Sequence, residues 1–167
     1  MMADVLVKTF LESGYGLVMI GAAAVVSLGC IGSARGIRIA AAQAGGVMSE
    51  KPELFGKLLV LIALPGTQGF YSFICAFLSM MWAGGTRTPV ITGMAIMAVA
   101  IGTGFAEWRS AIYQGETSAA AINMVARQPD SAGRAILLPA LVETYALLSL
   151  LAAIVLIQFL VKTIPAA

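Results

Sequence analysis

One acidic residue of the chain, Glu143, lies inside a long apolar stretch of the sequence. From Ala135 to Val161 no other residue carries a charge. An unpaired charge in the middle of a lipid bilayer costs several kcal/mol, so a carboxylate in such a segment needs hydrogen-bond donors, a proton or a cation. The position of Glu143 therefore predicts a carboxylate whose negative charge is neutralised when a small positive ion binds and restored when the ion leaves.

Two glutamines and a threonine can meet this carboxylate at one depth. Counted from the basic residues that flank the nearest loops, Gln68, Gln114 and Glu143 lie 9 to 13 residues into their segments. At a rise of 1.5 Å per helical residue, they lie roughly 13–20 Å deep, near the middle of a bilayer. Thr67 adjoins Gln68. Carboxylate, amide and hydroxyl oxygens suit a small hard cation better than a soft transition metal.

Two prolines precede the polar positions. Pro65 lies three residues before Gln68, and Pro139 lies four before Glu143. A proline inside a helix leaves a carbonyl about one turn back without its usual donor. In lipid that carbonyl is either re-satisfied or used as a ligand, and a simple kink is the alternative. We expect backbone carbonyl oxygens to join the site.

The composition indicates that these residues are held by membrane helices. The chain has 167 residues, of which 60% are hydrophobic and 11% charged, whereas a soluble domain has about a quarter charged residues. Its apolar runs are continuous rather than alternating, which favours α-helices over a β-barrel. The sequence predicts an all-α membrane protein with four transmembrane helices, at about residues 13–42, 56–83, 88–126 and 133–162.

Several other classes of protein fit the sequence poorly. A net charge of +2 and the lack of a basic run argue against nucleic acid as a partner. The chain has no histidine, the commonest general base, and no nucleophile–base pair or metal cluster is visible, so we do not expect an enzyme. Cys30 and Cys75 fall inside predicted helices as small apolar residues, without a disulfide or metal. A signal peptide after Lys8 is disfavoured because cleavage after the alanines at 22–24 would destroy the first helix.

Basic residues predict the orientation in the membrane. Six of them flank the loops between helices 1 and 2 and between helices 3 and 4, and three flank the other helix ends. The positive-inside rule therefore predicts a cell-membrane protein with loops 1–2 and 3–4 in the cytoplasm and both termini outside. The six are Arg35, Arg38, Lys51, Lys57, Arg127 and Arg134, and the three are Lys8, Arg87 and Lys162.

The two halves of the chain, residues 1–84 and 85–167, resemble each other as tandem helical hairpins in parallel orientation. Allowing two slips of two residues, Gln68 occupies the place of Glu143; chance similarity of two Ala- and Leu-rich hairpins is the alternative. Gly32 and Gly36 form a small-xxx-small pair that predicts close helix packing. The matching positions are Ala40–Ala42 with Ala119–Ala121, Pro52 with Pro129, and Gly56–Lys57 with Gly133–Arg134.

Four short motifs carry a resemblance to a known family. "LPGTQGFYSF" (Leu64–Phe73), "VETYALL" (Val142–Leu148), "YQG" (Tyr113–Gly115) and "GSARG" (Gly32–Gly36) resemble the proteolipid (K or c) subunit of V-type rotary ATPases, most of all the bacterial sodium-pumping type. The resemblance implies a ring of identical four-helix subunits that turns as cations pass. No phosphate-binding loop is present in this chain, so ATP would be hydrolysed or made in a separate soluble head.

The resemblance also implies an ion site and partners. It implies Na⁺ held by the Leu64 carbonyl, Thr67, Gln68, Gln114 and Glu143, with Tyr71 hydrogen-bonded to the carboxylate. A proton is the alternative, although a proton site would not need the two glutamines. The implied partners are a stator membrane subunit that supplies an arginine, central-stalk subunits at the cytoplasmic loops, and lipid.

Three charged residues depart from the family pattern. Glu107, Arg109 and Glu116 lie within the predicted third helix, and Glu107 shares a helical face with Gln114, two turns further out. They could form ion pairs within or between subunits, Glu107 could line a second ion station, or the set could make the site proton-selective. The rival functions are a four-helix exporter of cationic solutes, in which the glutamate typically lies in the first helix, and a structural scaffold without a transport cycle.

Overall fold

Helices make up nearly all of the backbone in the computed structural model, which describes residues 2–7 and 12–163. Within these ranges, four helical segments are long and apolar enough to cross a membrane: Tyr15–Glu50, Pro52–Trp82, Val90–Arg127 and Pro129–Thr163. The prediction of an all-α protein with four such helices is confirmed. The helices are α1 (Met2–Val7), α2 (Tyr15–Glu50), α3 (Phe55–Ala63), α4 (Thr67–Trp82), α5 (Val90–Arg127), α6 (Ala132–Ala135) and α7 (Leu137–Thr163), with short 3₁₀ turns at Pro52–Leu54, Leu64–Gly66, Gly85–Arg87 and Pro129–Ser131.

The helix bounds differ from the sequence prediction mainly at the end of α2. This helix continues to Glu50 instead of ending near residue 42, because residues 43–50 contain no proline and the glycines alone do not stop a helix that packs along a neighbour. Pro52 and Pro129 each stand at the start of a 3₁₀ turn that opens the next segment. A missing N–H is harmless at that position, since the first turn of a helix has unpaired donors in any case.

Glycines bring the backbones of α2 and α5 into contact. A Cβ atom at Gly36 would lie 2.2 Å from the carbonyl oxygen of Ala111, and one at Gly32 would lie 2.6 Å from the Cα of Trp108. From the other side, a Cβ at Gly115 would lie 2.4 Å from the Gly36 oxygen. The predicted close packing at Gly32 and Gly36 is therefore confirmed. The α2–α5 pair forms the centre of the bundle, with α4 packed mainly on α2 and α7 mainly on α5.

The interior has two apolar clusters with a polar layer between them. Gln68, Gln114 and Glu107 in this layer are all fully buried. Because α2 and α5 have 36 and 38 residues, each is roughly 55 Å long and extends beyond a bilayer core of about 30 Å. One cluster centres on Val18, Val25, Ile96, Leu150 and Ile157, and the other on Leu58, Leu61, Ile122, Val125 and Ala135.

Side-chain hydrogen bonds join the two hairpins at the end where α2 and α5 finish. The Gln43 amide donates to Asn123 Oδ1 at 2.6 Å. The Lys51 ammonium donates to the Ala126 carbonyl at 2.6 Å, and Lys57 Nζ donates to the Pro129 carbonyl at 3.0 Å. Since each bond crosses from one hairpin to the other, they hold the two halves of the polar layer at the same height.

The glycine contact gives a testable prediction for stability. Gly36→Ala places a methyl group against backbone atoms that cannot move aside, so we expect a loss of about 1–3 kcal/mol, measured as a lower unfolding temperature in detergent. Gly46→Ala, on the same helix, is the matched control because nothing lies within 4 Å of a Cβ there. Equal stability of the two variants would contradict the backbone contact.

Candidate ion-binding site

The second membrane segment is broken at Pro65, and this break presents a carbonyl and a hydroxyl together. A 3₁₀ turn over Leu64–Gly66 separates α3 from α4, so Thr67 is the first residue of α4. Thr67 Oγ1 lies 3.0 Å from the carbonyl oxygen of Leu64. The Leu64 carbonyl, which the family resemblance implied as a ligand, therefore lies beside the Thr67 hydroxyl, whereas a freed carbonyl one turn before Pro65 stays a prediction.

Glu143 reaches into the bundle from α7 and accepts hydrogen bonds from three neutral donors. Its Oε2 atom accepts from Thr67 Oγ1 at 2.8 Å and from Gln114 Nε2 at 2.5 Å. Its Oε1 atom accepts from the phenol of Tyr71. Among the described residues, no lysine or arginine side chain donates to this carboxylate, so its charge is solvated by dipoles but not cancelled.

The two glutamines are coupled to each other. Gln68 Nε2 donates to Gln114 Oε1 at 2.5 Å, and Gln114 Nε2 also donates to the Pro139 carbonyl at 3.1 Å. Pro139 lies in the first turn of α7, so it does not kink that helix, and the carbonyl used is its own rather than one a turn earlier. This second carbonyl was missed because the sequence shows which donor a proline lacks, not which neighbouring helix will donate to it.

Oxygen atoms outnumber the protons available around Thr67. Its Oγ1 atom lies 3.0 Å from Leu64 O, 2.8 Å from Glu143 Oε2 and 3.4 Å from Gln68 Oε1. A hydroxyl has one proton and can donate it to one of these acceptors at a time. The other acceptors then lie near the hydroxyl oxygen without receiving its proton, which is an arrangement that a bound cation would stabilise.

The structure brings all six predicted site residues together, and they differ in their exposure. Gln68 and Gln114 are fully buried, whereas Glu143, Thr67 and Tyr71 are half-buried. Next to the carboxylate on α7, Tyr145 is exposed. The carboxylate therefore lies at the boundary between the polar layer and the outer surface, where a partner molecule could approach it.

A serine of α2 that sequence reasoning did not assign to the site positions the first turn of α4. Ser33 Oγ on α2 accepts a hydrogen bond from the backbone N–H of Gly69 at 2.8 Å. Gly69 belongs to the first turn of α4, whose amide donors have no partner within the helix. Ser33 thus fixes the height of Thr67 and Gln68 relative to the central helix pair.

The three unexpected charges of α5 lie in different environments. Glu107 is fully buried, and in the described part of the chain neither of its oxygens has a hydrogen-bond partner. Arg109 is exposed; its guanidinium donates to the Tyr113 hydroxyl at 2.6 Å and lies 4.8 Å from the centre of that ring. Glu116 is exposed. Within the described residues Glu107 forms no ion pair, and pairing of these charges between subunits stays a prediction.

Cys30 is exposed, Cys75 is buried, and both are free thiols.

Four membrane-spanning helices around one polar layer define a multi-pass membrane protein, and comparison with known proteins identifies its family. Residues 20–79 and residues 92–156 each match the family of the ATP synthase C subunit. The V-type sodium ATPase subunit K of Enterococcus hirae is 38% identical over 118 residues, covering 71% of this chain and 75% of that protein. The A-type ATP synthase subunit K of Methanocaldococcus jannaschii is 36% identical over 138 residues, covering 83% of this chain and 60% of that protein.

The chain therefore belongs to the family of the ATP synthase C subunit and is a rotor-ring proteolipid of the V- and A-type ATPases. Proteins of this family form rotor rings within ATPase complexes and are not their catalytic subunits. The resemblance inferred from the four sequence motifs is confirmed. Family membership also removes the exporter and the structural scaffold as alternatives.

The hydrogen bond from Tyr71 gives a second prediction. Tyr71→Phe removes one of three donors to the carboxylate, so Glu143 should become more mobile and react several-fold faster with an apolar carbodiimide. Hydrogen bonds to charged groups contribute about 1.5–3 kcal/mol, which is enough for such a change. The labelled glutamate is quantified by mass spectrometry. Tyr145→Phe on α7 is the control, because that side chain is exposed; equal rates in both variants would contradict a role for the phenol.

Proposed function

We propose that this subunit binds Na⁺ at Glu143 and carries it through the membrane as the rotor ring turns. The observation that carries the proposal is the set of oxygens around Thr67, in which Leu64 O, Gln68 Oε1 and Glu143 Oε2 all lie near one hydroxyl that can donate to only one of them at a time. A small monovalent cation prefers such oxygen ligands. The sodium ATPase named for the Enterococcus hirae relative adds support.

One Na⁺ would make the site neutral. The carboxylate supplies one negative charge, and every other group in the set is an uncharged oxygen or amide. A neutral site can face lipid, whereas the bare carboxylate would pay several kcal/mol to do so. The half-buried position of Glu143 lets the ion enter and leave without opening the α2–α5 pair.

The paired glutamines limit how the ion is held. In the hydrogen bond between them Gln68 donates and Gln114 accepts, which occupies one of the two lone pairs of Gln114 Oε1. The Gln68 Oε1 atom lies near Thr67 Oγ1 and is available to the cation. Ligation through Gln114 Oε1 as well would use its second lone pair.

The transport cycle follows from charge neutralisation. A cation enters from a half-channel in a stator membrane subunit, binds Glu143, and crosses the lipid-facing part of the turn as a neutral site. A stator arginine then offers the carboxylate a competing positive charge and releases the ion. Rotation is coupled to ATP hydrolysis or synthesis in a separate soluble head through central-stalk subunits.

The arrangement in the membrane is part of the same proposal. Residues 1–84 and 85–167 form two tandem hairpins, of which the second carries the ion-binding glutamate. The connections near Lys51–Lys57 and Arg127–Arg134 face the cytoplasm and the stalk, and both termini lie outside, because most basic residues flank these connections. The hydrogen bonds of Lys51 and Lys57 across the hairpins place the two connections side by side.

Protection of Glu143 from a carbodiimide tests sodium binding. Carbodiimides attack the protonated carboxyl, so Na⁺ bound at Glu143 should slow labelling in the purified ring at fixed pH, while an equal concentration of choline should not. Labelling is measured by mass spectrometry of the peptide that contains Glu143. Labelling that follows pH alone and ignores sodium would favour the alternative, a rotor that carries protons.

A threonine variant tests the oxygen set itself. Thr67→Val keeps the side-chain shape but removes the hydroxyl, so the sodium concentration that gives half protection should rise at least tenfold, or about 1.4 kcal/mol. Thr117→Val is the matched control, since its hydroxyl bonds only to the Tyr113 carbonyl of its own helix at 2.7 Å. Half protection at the same concentration in both variants would exclude Thr67 as a ligand.

A further inference from the structure

Glu107 is a second carboxyl in the polar layer, and the proposed sodium site does not use it. The side chain is fully buried, and neither oxygen has a hydrogen-bond partner among the residues that the structure describes. It lies seven residues before Gln114 on α5, which is roughly 10 Å along the helix. A carboxylate with full charge and no donor is the costliest group that a protein interior can hold.

The groups around Glu107 supply neither a positive charge nor a cage of oxygens. On α4 it is near Tyr71 and Cys75; on α7, Ser149 lies close but without hydrogen-bond geometry, and Glu143 is the nearest acid. Helix α2 faces this level with Gly29 and Gly32, while its titratable side chains Cys30 and Arg35 are exposed. On α5 itself, Arg109 is exposed and bonded to Tyr113.

We propose that Glu107 is a second cation-binding carboxyl of the subunit, and that the cation it takes is a proton. Sodium needs several oxygens directed at one point, and the described surroundings of Glu107 have scattered hydroxyls instead. Thr103, one turn away, already donates its hydroxyl to the Val99 carbonyl at 2.9 Å. A proton needs only the carboxyl, and it removes the charge that the apolar interior cannot solvate.

The proton at Glu107 affects the sodium site because both acids lie in one layer. With Glu107 protonated, sodium at Glu143 leaves the layer neutral. Loss of that proton adds a negative charge roughly 10 Å from the sodium site, and at an effective dielectric of ~20 this strengthens cation binding roughly tenfold. The layer then keeps a net negative charge even with sodium bound, which opposes its passage through lipid.

Infrared spectroscopy of purified rings in lipid tests the proposal directly. At neutral pH and saturating sodium, we expect the C=O stretching band of a protonated carboxyl, and we expect one bound ²²Na⁺ per subunit. Glu107→Gln should remove this band and leave the sodium count at one. Glu116→Gln is the matched control, since Glu116 is an exposed carboxyl on the same helix, and it should leave the band in place.

A second measurement follows the coupling between the two carboxyls. The sodium affinity of the wild-type ring should tighten as alkaline pH removes the proton from Glu107, and the Glu107→Gln ring should lack that part of the pH dependence. Ring size in detergent checks assembly of the variant. If Glu107→Gln does not assemble, the band and the sodium count of the wild-type ring still decide the question.

Two outcomes would overturn the proposal. Two sodium ions per wild-type subunit without a protonated-carboxyl band would make Glu107 a sodium ligand. One sodium ion without the band would make it an unpaired anion. The inference does not depend on the ion carried by Glu143: in a Glu143→Gln ring the Glu107 band should remain, so failure of the sodium proposal and failure of this one are distinguishable.

Discussion

The arrangement depends on one electrostatic constraint: a carboxylate inside an apolar helix bundle has neutral donors but no basic partner among the described residues of its own chain. Thr67, Gln114 and Tyr71 donate to Glu143, and their dipoles lower the cost of the charge without removing it. Had a lysine or arginine of the same subunit paired with this acid, the site would be permanently neutral and would have no reason to take up an ion. In the proposed function, the transported cation supplies this missing counter-charge.

Rigid helix packing keeps the Glu143 carboxylate and its donors at a fixed height in the bundle. Backbone contact between α2 and α5 at Gly36 and Gly115 prevents the central pair from sliding, and Ser33 ties the start of α4 to α2. The site residues are then divided by exposure: the glutamines are fully buried and the carboxylate is half-buried. In the proposed function, an ion would therefore exchange at the outer surface while the inner residues stay in place, which a site enclosed by four equally buried helices would not allow.

Much of the site could be predicted from the sequence because helical rise converts residue number into depth. Glu143, Gln68 and Gln114 were expected at one level, and hydrogen bonds join them in the structure. The Leu64 carbonyl was expected from the family resemblance and lies beside Thr67, whereas the Pro139 carbonyl was missed because the sequence does not show which neighbouring donor reaches it. The end of α2 was also misplaced, because its last residues are helical through packing rather than through an apolar pattern. Periodicity placed Glu107 on the face of Gln114, but it could not show that the carboxyl would have no partner.

Two acids in one layer need not compete for the same cation if their surroundings differ. Glu143 is linked through one or two hydrogen bonds to a hydroxyl, two carbonyls and two amides. Their oxygens can replace the water molecules around a cation larger than a proton. Glu107 has no donor and no converging oxygens among the described residues, so the smallest cation is the one that suits it. Under the two proposals, the same requirement for neutrality selects different ions at the two positions. A subunit built in this way would carry sodium at one acid only while the other keeps its proton, and the charge of the layer, rather than either acid alone, would decide whether the ring can turn past lipid.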